Sequence, residues 1–205
     1  MNADTVSQLV TVLEKTTSGD QNELKQAQQF LEQAAQTNLP QLIRLVCSWV
    51  FSSYPIPTNL TLFRTLSEVL YHGGNSAVCR QQAGVQLKNF LYTNDENLRS
   101  QYEERWLAMP EDVRQATKQN VLGALGTESF RPSAAAQCVQ MIAVVELPRS
   151  LWPGLVTTLV QNVTNPASTE MMKESTLQAI GYICQDVEHR SGVQYRTILI
   201  TLHFS

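Results

Sequence analysis

The chain is poor in the residues that carry out chemistry. Its 205 residues include only 3 histidines and 4 cysteines. His72, His189 and His203 stand away from any cysteine or acid at ligand spacing, and Cys47, Cys79, Cys138 and Cys184 form no C-x-x-C pair. A zinc site or a disulfide framework is therefore not expected, and the cysteines read as buried free thiols. Gly73-Gly74 leads into no GKT or GKS, so the loop that cradles phosphates in nucleotide hydrolases is missing. Glu103-Glu104 supplies two carboxylates, but neighbours in sequence point in different directions on a helix. The expectation is a protein without catalytic residues, metal or cofactor.

Charge and long apolar runs are scarce as well. Lys and Arg total 15 against 18 Asp and Glu, a net charge of −3, whereas nucleic-acid binders cluster cations on one surface. Nucleic acid is not an expected partner. The opening MNADTVSQLV has neither the basic nor the apolar region of a secretory signal, and no run reaches the ~18 apolar residues needed to span a bilayer. No membrane role is expected, and the setting is read as cytosol or nucleus. The N-x-T triplets at Asn59 and Asn162 carry no information there.

What the sequence does have is helical periodicity, supported by a 43% hydrophobic content large enough for a core. The clearest stretch is 162–186, NVTNPASTEMMKESTLQAIGYICQD. Asn165-Pro166 marks a turn, Ser168 or Thr169 can cap a helix, and Glu170 suits the positive end of its dipole. Leu177, Ile180, Cys184 and Val187 then recur at steps of three and four, with Met172, Ala179 and Ile183 beside them. Before it, Trp152, Leu155, Val156, Leu159, Val160 and Val163 form another stripe, with Pro153 placed for a first helical turn. The unit is a helical hairpin.

Earlier segments repeat the plan. A stripe at Val6, Leu9, Val10 and Leu13 ends at SGD, and Asp20 with Glu23 resembles a capping box before a helix over 21–36. A helix over 61–72 stops at GGNS, and the next carries Cys79, Ala83, Leu87 and Phe90 on a seam where Ala83 and Gly84 admit a close neighbour. A third unit begins with Leu98, Tyr102 and Trp106, pauses at Met109-Pro110 and runs to Gly126. Its partner opens at Arg131-Pro132-Ser133 with Ala134, Ala135, Ala136, Val139, Ile142 and Val145. Second helices near 20, 76, 132 and 168 are spaced by about 56, 56 and 36 residues, around the ~40–47-residue period of HEAT repeats. The expected fold is all-α, an α-solenoid of about four HEAT-like hairpins.

Beyond periodicity, 162–186 resembles a segment of the importin-β (karyopherin-β) family of nuclear transport receptors. The resemblance extends with interruptions over 6–187 and includes LEKT at 13–16, FLEQAA at 30–35, GNS at 74–76, AGVQLKN at 83–89, QYEERWLA at 101–108, LGTESFRPS at 125–133 and QCV at 137–139. It implies an N-terminal HEAT-repeat region of a receptor whose second helices line a concave surface that contacts the GTP-bound GTPase Ran. Lys88 and Arg131 match family positions implicated in that contact, while Gln29 and Asn94 replace basic residues of the family pattern. Read without the family, Lys88 is a surface lysine projecting with Gln81 and Gly84, and Arg131 caps or screens a helix junction. The resemblance also implies residence in cytoplasm, nucleus and nuclear pore. Importin-α or cargo and the principal nucleoporin pockets belong to later repeats of the family, absent from this chain. The alternatives are a general helical-repeat scaffold for another protein, or a truncated product without function.

Two blocks depart from the pattern. Joining Pro40 to Thr61 yields NLPTLFRTLSEVL, one continuous family-like helix, whereas the intervening 41–60 is apolar, carries a single charge at Arg44, and ends in Pro55-Ile56-Pro57. A short extra helix over about 41–53 is expected there. The tail 188–205 loses helical period and clusters Ile198, Leu199, Ile200, Leu202 and Phe204, and reads as a divergent, unstructured end. Both blocks fit intron-derived sequence; the alternative is a lineage-specific insertion and terminus. In the first case, deleting 41–60 raises solubility and melting temperature, because it restores one helix and removes apolar surface that a solenoid has no groove to bury. A lower melting temperature after deletion would identify the block as evolved core.

Overall fold

The computed structural model describes residues 10–36 and 58–189, and every regular element among them is helical. After a helical stretch at 10–15 come α1 (Gln21–Gln36), α2 (Thr58–Tyr71), α3 (Ala77–Leu91), α4 (Glu96–Leu107), α5 (Glu111–Ala124), α6 (Ala134–Glu146), a 3-10 turn at Leu147–Arg149, α7 (Leu155–Thr164) and α8 (Glu170–His189). The second helices of the four pairs thus start at Gln21, Ala77, Ala134 and Glu170, within two residues of the positions set by the caps. The expected short helix over 41–53, the Pro55–Pro57 turn, Cys47 and the tail beyond 189 lie outside the described residues.

Caps fix these starts. Ser76, Ser133 and Thr169 each accept a bond from the backbone N–H three residues on, at 3.2, 3.0 and 3.1 Å. Asp95 accepts from the N–H of Asn97, two residues on, ahead of α4, at 2.9 Å. The expected capping box at Asp20 takes another form. Asp20 accepts from the Asn22 N–H, but Glu23 accepts from the Ser18 hydroxyl at 2.7 Å, and that hydroxyl receives the Asp20 N–H instead. Ser18 has been inserted into the reciprocal pair.

Helix boundaries show two further differences, and a division at the expected pause. Helix α2 begins at Thr58, so the end of the apolar block is already helical. Pro153 lies ahead of α7 rather than in its first turn, because Gly154 takes a left-handed conformation, φ 81°, at the cap position. The long third unit divides at Pro110, which lacks the N–H needed to continue α4 and opens α5. Leu98, expected on the buried stripe of that unit, is exposed; of α4, Trp106 is buried in the core and Leu107 packs against it half-buried.

The helices pack in two layers. First-position helices α2 and α5 lie side by side, as do second-position helices α3, α6 and α8; α2/α3, α5/α6 and α7/α8 are the hairpins that join the layers. Between them runs one apolar core, with Phe63, Leu66, Leu87, Trp106, Val121, Ile142 and Leu159 all buried. At Gly84 a Cβ would approach Ala134 Cβ to 2.6 Å, so α3 and α6 meet as closely as the small residues at 83 and 84 predicted. Helix α8 seats Ser175, Thr176, Ala179 and Ile183 inward, while Leu177, expected on the buried stripe, is 54% exposed. The buried face is rotated toward the smaller residues because α8 docks on both α6 and α7.

Cys79 and Cys138 are buried thiols, as expected, whereas Cys184 is only half-buried. Burial, helped by Glu14, pushes Cys79 up to about 11, and burial raises Cys138 further. Neither is available as a thiolate near neutral pH.

The least expected feature of the core is ionic. Glu146, at the end of α6, is wholly buried. Its carboxylate accepts from Trp106 Nε1 at 3.0 Å, Arg114 Nη1 at 2.9 Å and Lys118 Nζ at 2.7 Å, binding α4 and α5 to α6. Lys118, itself 1% exposed, also donates to the Leu151 carbonyl at 3.1 Å and lies 5.6 Å from the centre of the Trp152 ring. Arg114 additionally pairs with Glu111. Glu146→Gln removes the buried charge that Arg114 and Lys118 share, leaves them only the exposed Glu111 carboxylate, and is expected to cost about 3–5 kcal/mol. Urea denaturation checks this; a variant with an unshifted midpoint would show that the cluster does not hold the layers together.

Candidate functional site

Second-position helices α3, α6 and α8 share one face of the solenoid, and their tight contact is offset toward the N-terminal half of α6. There Gly84 meets Ala134, and the Cys138 thiol donates to the Gly84 carbonyl at 3.3 Å. Further along, longer side chains hold the helices apart and leave an open cleft of about 340 Å3. Lys88, Asn89 and Tyr92 line it from the end of α3, Gln137, Gln140 and Met141 from α6, and Tyr182 from α8. Asn94 closes the rim.

Lys88 is half-buried and forms no ion pair among the described residues. The expectation that it projects with Gln81 and Gly84 is wrong in one respect. Gly84 is buried beneath α6, and Gln81 lies beside the loop at Glu128–Phe130, so the three share no open face. The glycine lets the neighbouring helix in, and the lysine one turn later reaches past it into the cleft.

Gln140 is 7% exposed and donates through Nε2 to Asp186 Oδ2 at 2.5 Å, tying α6 to α8. Because a carboxylate accepts, the amide nitrogen faces Asp186, which leaves Oε1 and the second Nε2 hydrogen as the groups Gln140 can offer the cleft.

Arg131 sits elsewhere, in the loop before α6, on the order of 10 Å from the cleft along the helix axis. Its guanidinium is engaged by the Glu174 carboxylate at 3.0 and 2.9 Å, and donates to the carbonyls of Glu128 and Phe130. The hydrogen bond from Arg131 holds the Glu174 carboxyl below the usual range, and the reciprocal bond raises the Arg131 pKa. The pair's contribution is therefore present above the ordinary carboxylate pKa and is lost as pH falls through the lowered one. Beside it Ser133 N–H donates to Gln178 Oε1 at 3.1 Å, so this end of the α6–α8 contact is closed by polar ties. The structure thus does not bring Lys88 and Arg131 into one pocket. Of the two positions that depart from the family pattern, Asn94 is on the cleft rim and Gln29 is exposed on α1.

Sequence reasoning missed Gln140, Asp186 and Tyr182 as site residues. Their one signal was that Gln137 and Gln140 interrupt an otherwise apolar helix. Glu103 and Glu104 diverge as neighbours on a helix do, Glu103 pairing with Arg149 at 3.1 Å while Glu104 is exposed. No group of three His, Cys, Asp or Glu that could hold a metal, and no helix long and apolar enough to cross a membrane, occurs among the described residues.

No family model matches the chain. Importin subunit beta-1 of Schizosaccharomyces pombe is 31% identical over 176 residues, which is 85% of this chain but 18% of that relative. The chain accordingly spans less than a fifth of the length of this relative. A crystal structure of importin beta in an ammonium sulfate condition superposes with a TM-score of 0.74 at 27% identity, over 95% of this chain and 20% of the other. Kap95p, in a structure where its binding induces the switch loops of RanGDP to adopt the GTP-bound conformation, superposes with a TM-score of 0.72 at 27% identity, over 88% of this chain and 19% of its own. Taken with the hairpin order and the two-layer packing, this likeness in sequence and structure shows that the chain belongs to the importin-β family.

Proposed function

We propose that the chain acts as a nuclear import receptor segment that binds Ran in its GTP-bound conformation through the α3–α6–α8 face. The observation that carries this reading is Lys88, a half-buried cation without an ion-pair partner among the described residues, set in a polar cleft spanning three second-position helices. A cation so placed has part of its hydration removed and gains from a partner carboxylate. Arg131 has a lesser role in this reading, since any partner must compete with Glu174 for it. Transport between cytoplasm and nucleus through the pore follows as the setting, and importin-α, cargo and nucleoporins would engage regions of the longer relatives outside the part that this chain matches.

Nucleotide dependence follows from conformational cost. Kap95p drives the switch loops of RanGDP to the GTP-bound conformation, so in that complex the GDP state must be rearranged on binding. A receptor selecting that conformation binds the GTP state more tightly, by the free energy of the rearrangement. Titration of the full chain against Ran loaded with a GTP analogue or with GDP is expected to give the tighter complex with the former. Lys88→Glu weakens it by roughly 1–3 kcal/mol. Equal affinity for the two nucleotide states would sink the reading.

A further inference from the structure

The cleft holds more than a cation. We propose that Gln140, locked by Asp186, is a specificity-determining residue of the cleft, which receives a protein segment presenting a carboxylate next to a main-chain N–H. The carboxylate goes to Lys88 and the N–H to Gln140 Oε1. The inference rests on the GTPase-binding reading and names which chemistry of the partner this surface selects.

The argument begins with the burial of Gln140. An amide 7% exposed costs free energy unless its donors and acceptor are satisfied. Asp186 takes a donor at 2.5 Å, and no other described contact takes the acceptor. Since the carboxylate of Asp186 accepts only, the amide cannot turn over without setting two acceptors against each other. The cleft therefore shows an acceptor held on α6 by the tie to Asp186 and a lysine cation on α3. A bare carboxylate leaves the Gln140 Oε1 acceptor unmet; a positively charged segment is repelled by Lys88. A turn or helix start that carries an acidic side chain exposes both a carboxylate and free N–H groups, and matches both. Tyr92 and Tyr182 flank the site with rings able to cover the main chain of such a segment.

The structural and recognition roles of Gln140 can be separated by a rescue. Gln140→Glu sets a carboxylate against Asp186 and is expected to lower the melting temperature. The double variant Gln140→Glu with Asp186→Asn restores a donor–acceptor tie of the same size, with the Asn amide donating to the new carboxylate. Its melting temperature is expected to return close to that of the wild type. Yet residue 140 now presents negative charge to the cleft, where it competes with the partner's carboxylate for Lys88. Binding of the full-length double variant to Ran carrying a GTP analogue is therefore expected to fall by about tenfold or more. Its dependence on salt is expected to flatten, as is also expected for Lys88→Gln. A double variant that binds within about twofold of wild type overturns the inference while leaving the GTPase reading intact. A double variant that loses both stability and binding is compared with Asp186→Asn alone, whose amide can let Gln140 turn over: reduced binding at an unchanged melting temperature supports the inference, and wild-type binding overturns it. A wild-type chain that does not bind the GTPase overturns both.

Discussion

The fold depends on one buried carboxylate. Glu146 terminates α6, where the helix dipole disfavours negative charge, and it is completely shielded from water. It is held only because Arg114 and Lys118 from α5 and Trp106 from α4 converge on its two oxygens. That convergence fixes the register of the two layers at the break after Pro110, where the chain could otherwise swing. Apolar contacts elsewhere in the core resist separation but are weakly directional; three donors on one carboxylate are directional. The position of α6, and so the shape of the cleft between α3 and α8, follows from this anchor at one end and from the Gly84–Ala134 approach near the other.

A second carboxylate organises the start of the same helix. Glu128, 5% exposed, accepts from the N–H groups of Ala134 and Ala135 and from the Ser133 hydroxyl, at 3.1, 3.0 and 2.5 Å. Here the dipole favours the negative charge. Arg80 then clamps the loop from the α3 side, donating to the carbonyls of Leu70 and Thr127 at 2.8 Å each. Arg131 does so from the α8 side through Glu174. Helix α6 is therefore positioned at both ends by polar groups.

Much of this plan was legible in the sequence, and the reason is local. Caps and breakers act within three or four residues, so Ser76, Ser133, Thr169 and Pro110 marked their helix ends without tertiary knowledge. Small residues at 83 and 84 announced a close helix contact because nothing else explains them on an apolar seam. Rotational setting was less legible. Leu177 and Leu98 follow the apolar period of their helices yet are exposed, since which side is buried depends on two neighbours rather than on period alone. The ionic cluster was illegible for a related cause. Arg114, Lys118 and Glu146 are spread over two helices, and a charged residue in an amphipathic pattern is read as solvated unless its partners are known to meet it. Gln140 and Asp186, 46 residues apart, escaped for the same reason.

The treatment of charge also separates scaffold from surface. The deeply buried cations Arg80, Arg114 and Lys118 all have partners within the chain, as the cost of stranding a charge requires. Arg131, more exposed, is still matched to a carboxylate. Lys88 differs: it is half-buried, lies in a cleft whose other polar groups are amides and phenols, and has no carboxylate set against it among the described residues. A structural lysine in that position would ordinarily be paired or moved to water, because partial desolvation without compensation weakens the fold. Its retention in a cleft flanked by a fixed amide acceptor is instead what a surface needs if the missing negative charge arrives with a partner. In the proposed reading the partner's carboxylate supplies that charge.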